Sequence, residues 1–277
     1  MRAAVLGAPI AHSLSPVLHT AAYAALGLDG WTYEAIECDA AGLPGLLDTL
    51  GPEWSGLSLT MPLKRAVLPL LDQAEPLVAE VGGANTLIFG TAGRQGFNTD
   101  VPGMITALAE AGVATAPDAL ILGAGATACA ALAALRGMGT RQAAVAVRDP
   151  ATAGPLLEVA DRLGVSARLI PFGEAGDPGG RRLLISTVPA GAAESYAKRI
   201  ASRALIPQAI LDVVYHPWPT PLAVAARQAG VAVVSGFDLL MHQAAGQVRL
   251  MTGQDAPIEA MRTAGLAALA LRDPRRH

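Results

Sequence analysis

The sequence predicts an α/β protein of two domains, on three observations. Strand-like and helix-like patterns alternate along the chain, which is typical of sheets covered by helices. From residue 118 onward the apolar runs do not alternate with polar residues, as expected of parallel strands buried on both faces. The length of 277 residues suits two domains of roughly 100 to 150 residues. We place them at residues 1–101 and 102–236, with residues 237–277 completing the first domain.

The first domain alternates strand and helix patterns. Ser15 is predicted to be the N-cap of its first helix, with Pro16 at a position where the missing N–H costs nothing. Gly27 is predicted to end that helix. The predicted elements are strands at 2–7, 31–38 and 56–62, helices at 15–27, at 42–51 and in a stretch ending at Leu71, and a hairpin of 84–90 with 94–100.

The second domain has the pattern of a doubly wound parallel sheet. Two further helices, 237–253 and 258–272, are expected to pack back against the first domain. The predicted elements before them are strands at 118–125, 142–148, 166–172, 182–189, 209–215 and 231–236, and helices at 127–139 and 150–164.

Composition excludes several classes of protein. Hydrophobic residues make up 52% of the chain and charged residues 16%, with 30 glycines, which suits a compact enzyme rather than a disordered chain. The formal charge of −3, without a cluster of Lys and Arg, argues against a nucleic-acid partner. The uncharged run 119–135 is short for a bilayer and mostly Ala and Gly, so we expect no membrane span. Gly7 and Pro9 interrupt the apolar start, which predicts a buried strand rather than a signal peptide.

Cysteine and histidine spacing predicts neither a disulfide framework nor a metal site. Cys38 and Cys129 are far apart and lack CxxC spacing, which fits a reducing cytoplasm. The histidines show no i, i+4 pair around a carboxylate, so we expect no metal. They are His12, His19, His216, His242 and His277.

A glycine loop opens the second domain. Gly123, Gly125 and Ala128 form a G-x-G-x-x-A pattern between a predicted strand and a predicted helix. In this context the first glycine permits a tight turn, and the second lets backbone N–H groups approach a pyrophosphate at the helix N-terminus. The pattern predicts a Rossmann-like dinucleotide site, and the alternative is a tight turn that binds nothing.

The end of the next strand indicates which dinucleotide is bound. An NAD site would normally place Asp or Glu there, whereas this chain has Val147 followed by Arg148, a cation suited to a 2′-phosphate. NADP is therefore favoured over NAD. Asp149 would repel that phosphate unless it caps the helix that begins at Pro150. The alternative interpretation of Arg148 is a solvated strand end.

Polar side chains mark the strand ends of the first domain. Strand ends in an open α/β sheet line a crevice, so these groups can converge without being adjacent in sequence. Hydroxyls can hold a carboxylate, an amide can donate and accept, and a lysine beside an aspartate can manage a proton. A lone lysine would more often be a solvated residue, but the set predicts a site for a polyhydroxyl compound. Its members are Ser13, Ser15, Thr60, Lys64, Asn85, Thr86, Asn98 and Asp100.

The whole chain resembles the shikimate dehydrogenases. The segments that carry the resemblance are GAPIAHSLSPVLH, GLSLTMPLK, GGANTL, GFNTDVPG, LGAGATA, DVVYHPWPTPL and GFDLLMHQAA. The resemblance implies an oxidoreductase that reversibly reduces the 3-keto group of 3-dehydroshikimate with NADPH to give shikimate. This step lies on the route to chorismate and the aromatic amino acids. It implies a substrate-binding and catalytic first domain and an NADP-binding second domain.

The resemblance also assigns site residues by position. On the substrate side it implies Ser13, Ser15 and Tyr215 for the carboxylate, Thr60, Asn85 and Gln243 for ring hydroxyls, and Lys64 and Asp100 at the reacting oxygen. On the cofactor side it implies Gly123, Ala124, Gly125 and Ala126 at the pyrophosphate, Arg148 at the 2′-phosphate, and Thr187, Val213 and Gly236 along the nicotinamide and its ribose.

These assignments give Lys64 a chemical role. Negative charge grows on the carbonyl oxygen during reduction, and an ammonium placed there stabilises that charge and can deliver a proton. Asp100 would keep the ammonium charged and aimed, since an opposite charge nearby favours the charged form. The residues predict a catalytic pair, and which member transfers the proton stays open.

The chain departs from the family pattern at the cofactor. Ala126 stands where a third glycine is frequent, and Val147-Arg148-Asp149 replaces an Asn-Arg-Thr run. The stretch ISTVPAG replaces one that usually contains asparagine, and Leu239 replaces a frequent methionine. These changes bear on the choice between NADP and NAD and leave the substrate chemistry intact.

Three other functions are alternatives to this one. An NAD-dependent quinate or shikimate dehydrogenase tends to alter the second serine of SLSP, but Ser15 is retained, which favours shikimate. A dehydrogenase for an aminated ring and a non-catalytic NADP(H) sensor are the others, and sensors usually lose a catalytic group. Gly103 and Gly236 stand near the predicted domain crossings and suggest domain closure. We expect a monomer or a homodimer.

Overall fold

The computed structural model describes residues 1–174 and 182–272. The chain divides into two compact units, one of Met1–Gly103 with Leu240–His277 and one of Met104–Leu239. His277 and the rest of 273–277, which the sequence prediction included in the last segment, lie outside the described residues.

The first unit is built on a six-stranded mixed sheet in the order β2-β1-β3-β5-β6-β4. Strand β1 pairs in parallel with β2 and β3, while β5 pairs antiparallel with β3 and with β6. The β5–β6 hairpin is confirmed. The elements are β1 (Arg2–Gly7), α1 (Ser15–Ala25), β2 (Thr32–Glu37), α2 (Leu43–Asp48), β3 (Trp54–Leu59), α3 (Leu63–Ala66), a 3₁₀ turn (Leu68–Leu70), β4 (Gln73–Ala74), α4 (Pro76–Val81), β5 (Thr86–Gly90), β6 (Gly93–Phe97) and α5 (Asp100–Glu110).

This sheet has a hydrophobic core on each face, and the side chains of β1 alternate between the two cores. Ala4 and Leu6 face one core with the leucines of α2. Ala3 and Val5 face the other, with aromatic residues of α1 and β2. The last two helices are α10 (Gly236–Thr252) and α11 (Ile258–Leu271), and α11 packs against α1 as predicted.

The start of α1 differs from the prediction. Leu14, not Ser15, is the N-cap residue, and no side chain caps the helix. Ser15 is the first helical residue and is buried, and its backbone N–H donates to Ser13 Oγ at 3.2 Å. The Ser13 hydroxyl therefore accepts a hydrogen bond from a free N–H at the helix start, as an N-cap side chain usually does. Gly27 is confirmed as the end signal, since it follows the C-cap with φ of 67°.

His19 on α1 is a buried titratable residue of the first unit. Its ring stacks on Tyr33, with centroids 3.9 Å apart and planes 16° from parallel. Burial without a counter-charge disfavours the imidazolium form and lowers the pKa of His19 to about 3 from 6.5. The folded protein therefore holds His19 neutral at pH values where the unfolded chain protonates it.

We expect His19 to make the protein less stable in mild acid. Its contribution is complete above pH 6.5 and is lost as the pH falls from 6.5 towards about 3, because only the unfolded state binds the proton. The loss in unfolding free energy approaches about 1.4 kcal/mol per pH unit. Urea unfolding of wild type and His19→Gln across this range should therefore give converging curves as the pH falls. Leu18→Ala, a buried neighbour that does not titrate, should lower stability equally at each pH, and a constant wild-type to His19→Gln difference would contradict the assignment.

The second unit is a doubly wound parallel sheet, as predicted. Its strand order is β12-β11-β10-β7-β8-β9, and all five pairings are parallel. In chain order this is the 3-2-1-4-5-6 arrangement of dinucleotide-binding sheets. The elements are β7 (Asp118–Leu122), α6 (Ala126–Gly137), β8 (Gln142–Val147), a 3₁₀ turn (Pro150–Ala153), α7 (Gly154–Leu163), β9 (Ser166–Pro171), β10 (Leu183–Ser186), α8 (Glu194–Ala201), β11 (Ala209–Asp212), α9 (Pro221–Gln228) and β12 (Ala232–Ser235).

Within residues 1–174 and 182–272, four helices lie outside the sequence prediction: α4, α5, α8 and α9. Strand β11 also ends at Asp212, whereas the prediction extended it to Tyr215. The Asp212 carboxylate accepts hydrogen bonds from Thr220 Oγ1 at 2.6 Å and from the Val214 N–H at 3.3 Å. The chain therefore turns out of the sheet around this buried carboxylate.

Among the described residues, no helix is both long and apolar enough to cross a bilayer. Within the same ranges, no three His, Cys, Asp or Glu side chains lie close enough together to hold a metal ion.

Candidate functional site

Five of the predicted substrate-site residues in the first unit lie near strand ends of its mixed sheet or in α10. Thr60 follows β3 directly, and Lys64 lies in the short helix α3 just beyond it. Asn85 precedes β5, Asp100 begins α5, and Gln243 lies in α10. Four of the five come from segments that border the mixed sheet, so the sheet sets the spacing among them.

Lys64 and Asp100 form a largely buried ion pair. Lys64 Nζ donates to Asp100 Oδ2 at 2.5 Å, and the two side chains are 14% and 9% exposed. The other carboxylate oxygen, Oδ1, accepts a hydrogen bond from Asn85 Nδ2 at 3.0 Å. Both carboxylate oxygens are thus engaged, so the carboxylate cannot rotate without breaking a contact. The ammonium is held in one place, with two further N–H bonds to give.

The start of α5 positions Asp100. Asn98 Oδ1 accepts hydrogen bonds from the backbone N–H groups of Asp100, at 3.1 Å, and Val101, at 3.4 Å. Asn98 Nδ2 donates to the Gly83 carbonyl at 2.8 Å. A carboxylate in the first turn of a helix is stabilised by the partial positive charge of the helix N-terminus. Asn98, named above as a polar residue of the site, therefore caps the helix that carries Asp100.

A close approach of two backbones positions Lys64. The Ala84 N–H donates to the Lys64 carbonyl at 2.8 Å. A Cβ on Gly83 would lie 3.3 Å from the same oxygen, which is a tight contact. Glycine at this position therefore lets the segment leading to Asn85 lie against the backbone of α3.

Asn85 is buried and fully engaged. Its Nδ2 lies within hydrogen-bond distance of Thr99 Oγ1 at 2.9 Å, Asp100 Oδ1 at 3.0 Å and Gln243 Oε1 at 3.2 Å. An amide has only two N–H bonds, so these three acceptors compete. Gln243, the most distant, also donates from Nε2 to the Leu240 carbonyl at 3.0 Å. A ring hydroxyl that replaced the Gln243 contact would cost Asn85 the least.

Gly103 holds α5 close to α10. A Cβ on Gly103 would lie 2.8 Å from the Gln243 backbone nitrogen, closer than real Cβ contacts. The position of Gly103 near a predicted domain crossing suggests a role in domain closure. The structure gives it a packing role within the first unit, since it lets the Asp100 helix touch the Gln243 helix.

The remaining substrate-side predictions lie in three places. Ser13 is half-buried just before α1, and Ser15 is buried within it. Thr60 is half-buried, and its backbone N–H donates to the Leu6 carbonyl at 2.9 Å. Tyr215 is half-buried and follows β11 in the second unit.

The glycine loop of the second unit fits a pyrophosphate. Gly123 has φ of 96°, which L side chains rarely adopt, and a Cβ there would lie 2.9 Å from Thr187 Oγ1. Gly125 is the N-cap of α6, and a Cβ there would meet nothing within 4 Å. The surrounding chain thus requires glycine at 123 and leaves open space at 125. Ala124 lines the pocket beside the loop, and Ala126 is the first residue of α6.

Arg148 and Asp149 line the same pocket as Gly123, a cavity of about 420 Å³. Arg148 is exposed directly after β8. Asp149 Oδ1 accepts a hydrogen bond from the Ala151 N–H at 2.9 Å, and Pro150 begins the 3₁₀ turn. The capping explanation for Asp149 is confirmed. One oxygen of its carboxylate is bonded to the turn, next to the exposed Arg148 side chain.

The other predicted cofactor-side residues are Thr187, Val213 and Gly236, and they form two close contacts. Thr187 Oγ1 donates to the Leu122 carbonyl at 2.7 Å, so its hydroxyl joins the ends of β10 and β7. Gly236 packs against Val213, and a Cβ on Gly236 would lie 2.1 Å from the Val213 carbonyl oxygen. Gly236 therefore allows the close passage of two backbone segments, which is a packing role within the second unit.

Sequence analysis missed several residues bonded to this site. Thr99, Ser58 and Gln247 are buried, and each shares a hydrogen bond with another buried polar group. Gln247 follows Gln243 by four positions, which places both on one face of α10. Ser58 lies on β3 two positions before Thr60, which follows the strand, so an extended chain puts both on one side. These spacings could have identified them.

Family models match the chain in two segments. Residues 5–87 match the shikimate dehydrogenase substrate binding domain, and residues 236–264 match the shikimate 5'-dehydrogenase C-terminal domain. The first match contains Lys64 and Asn85, and the second contains Gln243.

Relatives of known sequence or structure match over nearly the whole chain. A shikimate dehydrogenase (NADP(+)) of Thermus thermophilus is 37% identical over 255 residues, which is 91% of this chain and 93% of that protein. The crystal structure of Mycobacterium tuberculosis shikimate dehydrogenase is 44% identical, with a TM-score of 0.85, covering 96% of this chain and 99% of that one. A shikimate 5-dehydrogenase from Thermus thermophilus, solved in complex with NADP(H) and shikimate, is 35% identical, with a TM-score of 0.84, covering 97% of this chain and 100% of that one. With such identity over almost its entire length, the chain belongs to the shikimate dehydrogenase family.

Proposed function

We propose that the protein is an NADP-dependent shikimate dehydrogenase that interconverts 3-dehydroshikimate and shikimate on the route to the aromatic amino acids. The observation that carries the proposal is the buried Lys64–Asp100 ion pair, set among Asn85 and Gln243, in a chain of this family. A sensor that only bound its ligands would have no need to hold a buried ammonium and carboxylate together, because such a pair costs desolvation.

The pair manages the proton of the reaction. When bound, NADPH supplies the hydride that reduces the carbonyl carbon. The Lys64 ammonium stabilises the negative charge that develops on the oxygen and is the proton source beside it. Asp100 aims the ammonium and, with Lys64, forms one proton-holding unit. Because the carboxylate is fixed by Asn85 and by the start of α5, little reorganisation is needed as charge develops.

Other residues of the site bind and orient the substrate. Ser13 and Ser15 hold the carboxylate, since hydroxyl groups donate to such an anion, and the family resemblance assigns Tyr215 to the same anion. Thr60, Asn85 and Gln243 take the ring hydroxyls. Support comes from the geometry at Asn85, whose Nδ2 has more acceptors than hydrogens, so a substrate hydroxyl can take over one of these contacts.

The cofactor is held by the second unit. Gly123, Ala124, Gly125 and Ala126 offer backbone N–H groups at the start of α6 to the pyrophosphate. Arg148 takes the 2′-phosphate, a role that fits its exposure and the engaged carboxylate of Asp149. Thr187, Val213 and Gly236 lie along the nicotinamide and its ribose. We place the reaction in the cytoplasm, consistent with two buried thiols, and we expect a monomer or a homodimer.

The proposal is tested by oxidation of shikimate, quinate and an aminated analogue with NADP and with NAD. We expect rapid turnover with shikimate and NADP. In Arg148→Gln the KM for NADP should rise about 10- to 100-fold, with little change for NAD, because a charged hydrogen bond to the 2′-phosphate is lost. Arg168→Gln, which removes an exposed cation of β9 in the same unit, should leave both KM values unchanged.

Three outcomes would redirect the assignment. Faster turnover of quinate or of the aminated analogue than of shikimate would identify that compound as the substrate instead. An equal loss for both cofactors in Arg148→Gln would remove the 2′-phosphate role. Tight ligand binding without turnover would favour the sensor.

A further inference from the structure

A chain of buried hydrogen bonds connects Tyr33 on β2 to the Lys64–Asp100 pair. Every step lies within the first unit, and each residue donates to the next. The steps are Tyr33 OH to Ser58 Oγ at 2.6 Å, Ser58 Oγ to Gln247 Oε1 at 2.9 Å, Gln247 Nε2 to Thr86 Oγ1 at 3.1 Å, Thr86 Oγ1 to Asn85 Oδ1 at 2.9 Å, and Asn85 Nδ2 to Asp100 Oδ1 at 3.0 Å. The chain ends on the carboxylate that holds the Lys64 ammonium.

Backbone groups fix the direction of this chain at two points. Gln247 Nε2 also donates to the Asn85 carbonyl at 3.1 Å, and a carbonyl oxygen can only accept. The Gln247 amide is therefore oriented, and its Oε1 must receive the Ser58 hydroxyl proton. At the other end, the Thr99 N–H, which can only donate, bonds to Asn85 Oδ1 at 2.8 Å. Asn85 must therefore present Nδ2 to Asp100.

The two fixed points require the same direction. The Thr86 hydroxyl accepts from Gln247 and so has its own proton free for Asn85 Oδ1. Reversing any step would place two donors or two acceptors face to face. Because Ser58, Thr86, Asn85 and Gln247 are all buried, an unsatisfied group among them would bear the full desolvation penalty. The chain has one stable arrangement.

A second buried serine on β3, Ser55, also bonds to α10 but does not join this chain of hydrogen bonds. Ser55 Oγ donates to the Met251 carbonyl at 2.6 Å. Ser55 and Ser58 both join β3 to α10, and both are buried. The Ser55 bond ends on the backbone, whereas the Ser58 bond continues through Gln247 to Asp100.

We propose that Gln247 is a positioning residue for the Lys64–Asp100 pair, acting through Thr86 and Asn85, with Ser58 and Tyr33 fixing its orientation. The inference rests on the proposed role of that pair in catalysis. Gln247 bonds both to the backbone and, through Thr86, to the side chain of Asn85, so it determines where Nδ2 meets the carboxylate. A misplacement of about 1 Å can cost about 100-fold in rate.

The experiment compares Gln247→Leu, Ser58→Ala and Tyr33→Phe with Ser55→Ala as the matched control. The kcat for shikimate oxidation should fall about 10- to 100-fold in Gln247→Leu, less in Ser58→Ala and least in Tyr33→Phe, because each change lies further from Asp100. The KM for NADP should not change. Ser55→Ala should lower Tm comparably to Ser58→Ala while kcat stays within about twofold of wild type.

Loss of kcat in proportion to Tm across all four variants would overturn the inference, since stability alone would then explain the series. So would a kcat within about twofold of wild type in Gln247→Leu. Lys64→Ala, measured alongside, separates this failure from failure of the proposed function. If Lys64→Ala loses turnover and Gln247→Leu does not, only the positioning role falls, whereas normal turnover in Lys64→Ala removes the catalytic pair itself.

Discussion

Lys64→Ala should lower kcat for shikimate oxidation by about 10²- to 10⁴-fold while leaving NADP binding intact. The variant removes the ammonium beside the reacting oxygen. The neighbours that remain, Asp100 and Asn85, carry no positive charge that could replace it. NADP binding should survive because the proposed cofactor residues all lie within residues 104–239, whereas Lys64 and Asp100 belong to the first unit. Stopped-flow or steady-state assays give kcat, and fluorescence titration with NADP gives the affinity.

The variant also leaves Asp100 as a buried carboxylate without its cation, which lowers stability. Asn85 and the backbone of α5 still bond to it, so we expect a folded protein with a reduced Tm. The double variant Lys64→Ala/Asp100→Asn removes the uncompensated charge and should recover Tm without recovering turnover. Arg65→Ala, which removes the next cation of α3, should keep kcat near wild type. Near-normal turnover in Lys64→Ala would refute the catalytic assignment.

Gly236→Ala should be among the most damaging single-methyl additions in the second unit. The new Cβ would lie 2.1 Å from the Val213 carbonyl oxygen and 2.3 Å from its carbonyl carbon. The clashing atoms are backbone, so the end of β11 or the start of α10 must move. Overpacking of this kind costs about 1–3 kcal/mol or more. We expect a lower Tm and a KM for NADP raised at least about 10-fold, since Val213 is proposed to lie along the nicotinamide.

Gly154→Ala is the matched control for that prediction. A Cβ on Gly154 would meet nothing within 4 Å, and its φ of −45° is accessible to alanine. We expect Tm to stay the same or to rise slightly, since alanine restricts the unfolded chain. Differential scanning calorimetry of both variants, with NADP kinetics, decides the point. A Gly236→Ala protein with wild-type Tm would show that the two segments separate easily.

The central strands of the second unit, β7, β8, β10 and β11, could be predicted because each carries a purely local signal. A run such as Ala119–Leu122 is fully buried, and burial on both faces appears in the sequence as an unbroken apolar run. Gly27 ended α1 for an equally local reason, since φ of 67° suits glycine. These features depend on neighbours along the chain and not on distant contacts.

The missed helices were short or weakly marked. In α8, Tyr196 and Ile200 are buried four positions apart, which is the helical spacing, but only eight residues carry the pattern. Helix α4 has six residues, too few for periodicity to separate helix from loop. The error at Ser15 arose because serine before proline usually caps a helix, whereas here Ser13 accepts the free N–H.

The clustering of Lys64, Asn85 and Asp100 could be predicted from the sequence, but their individual contacts could not. Strand ends and family resemblance indicated Lys64, Asn85 and Asp100, since polar residues at such ends face a crevice. That Asn98 caps α5 and that Asn85 serves three acceptors depend on how distant segments pack. Gln247 had a spacing signal relative to Gln243, but a buried glutamine looks in sequence like a surface one.

Helix α10 carries Gly236 at its first position and Gln243 and Gln247 on later turns. Each residue of an α-helix advances by about 1.5 Å and turns by about 100°. Inserting or deleting a single residue between Gln243 and Gln247 would therefore turn one glutamine away from Asn85 while the other stayed bonded to it, even if every side chain kept its chemistry. We expect the interval between the two glutamines to have only one length in evolution or engineering.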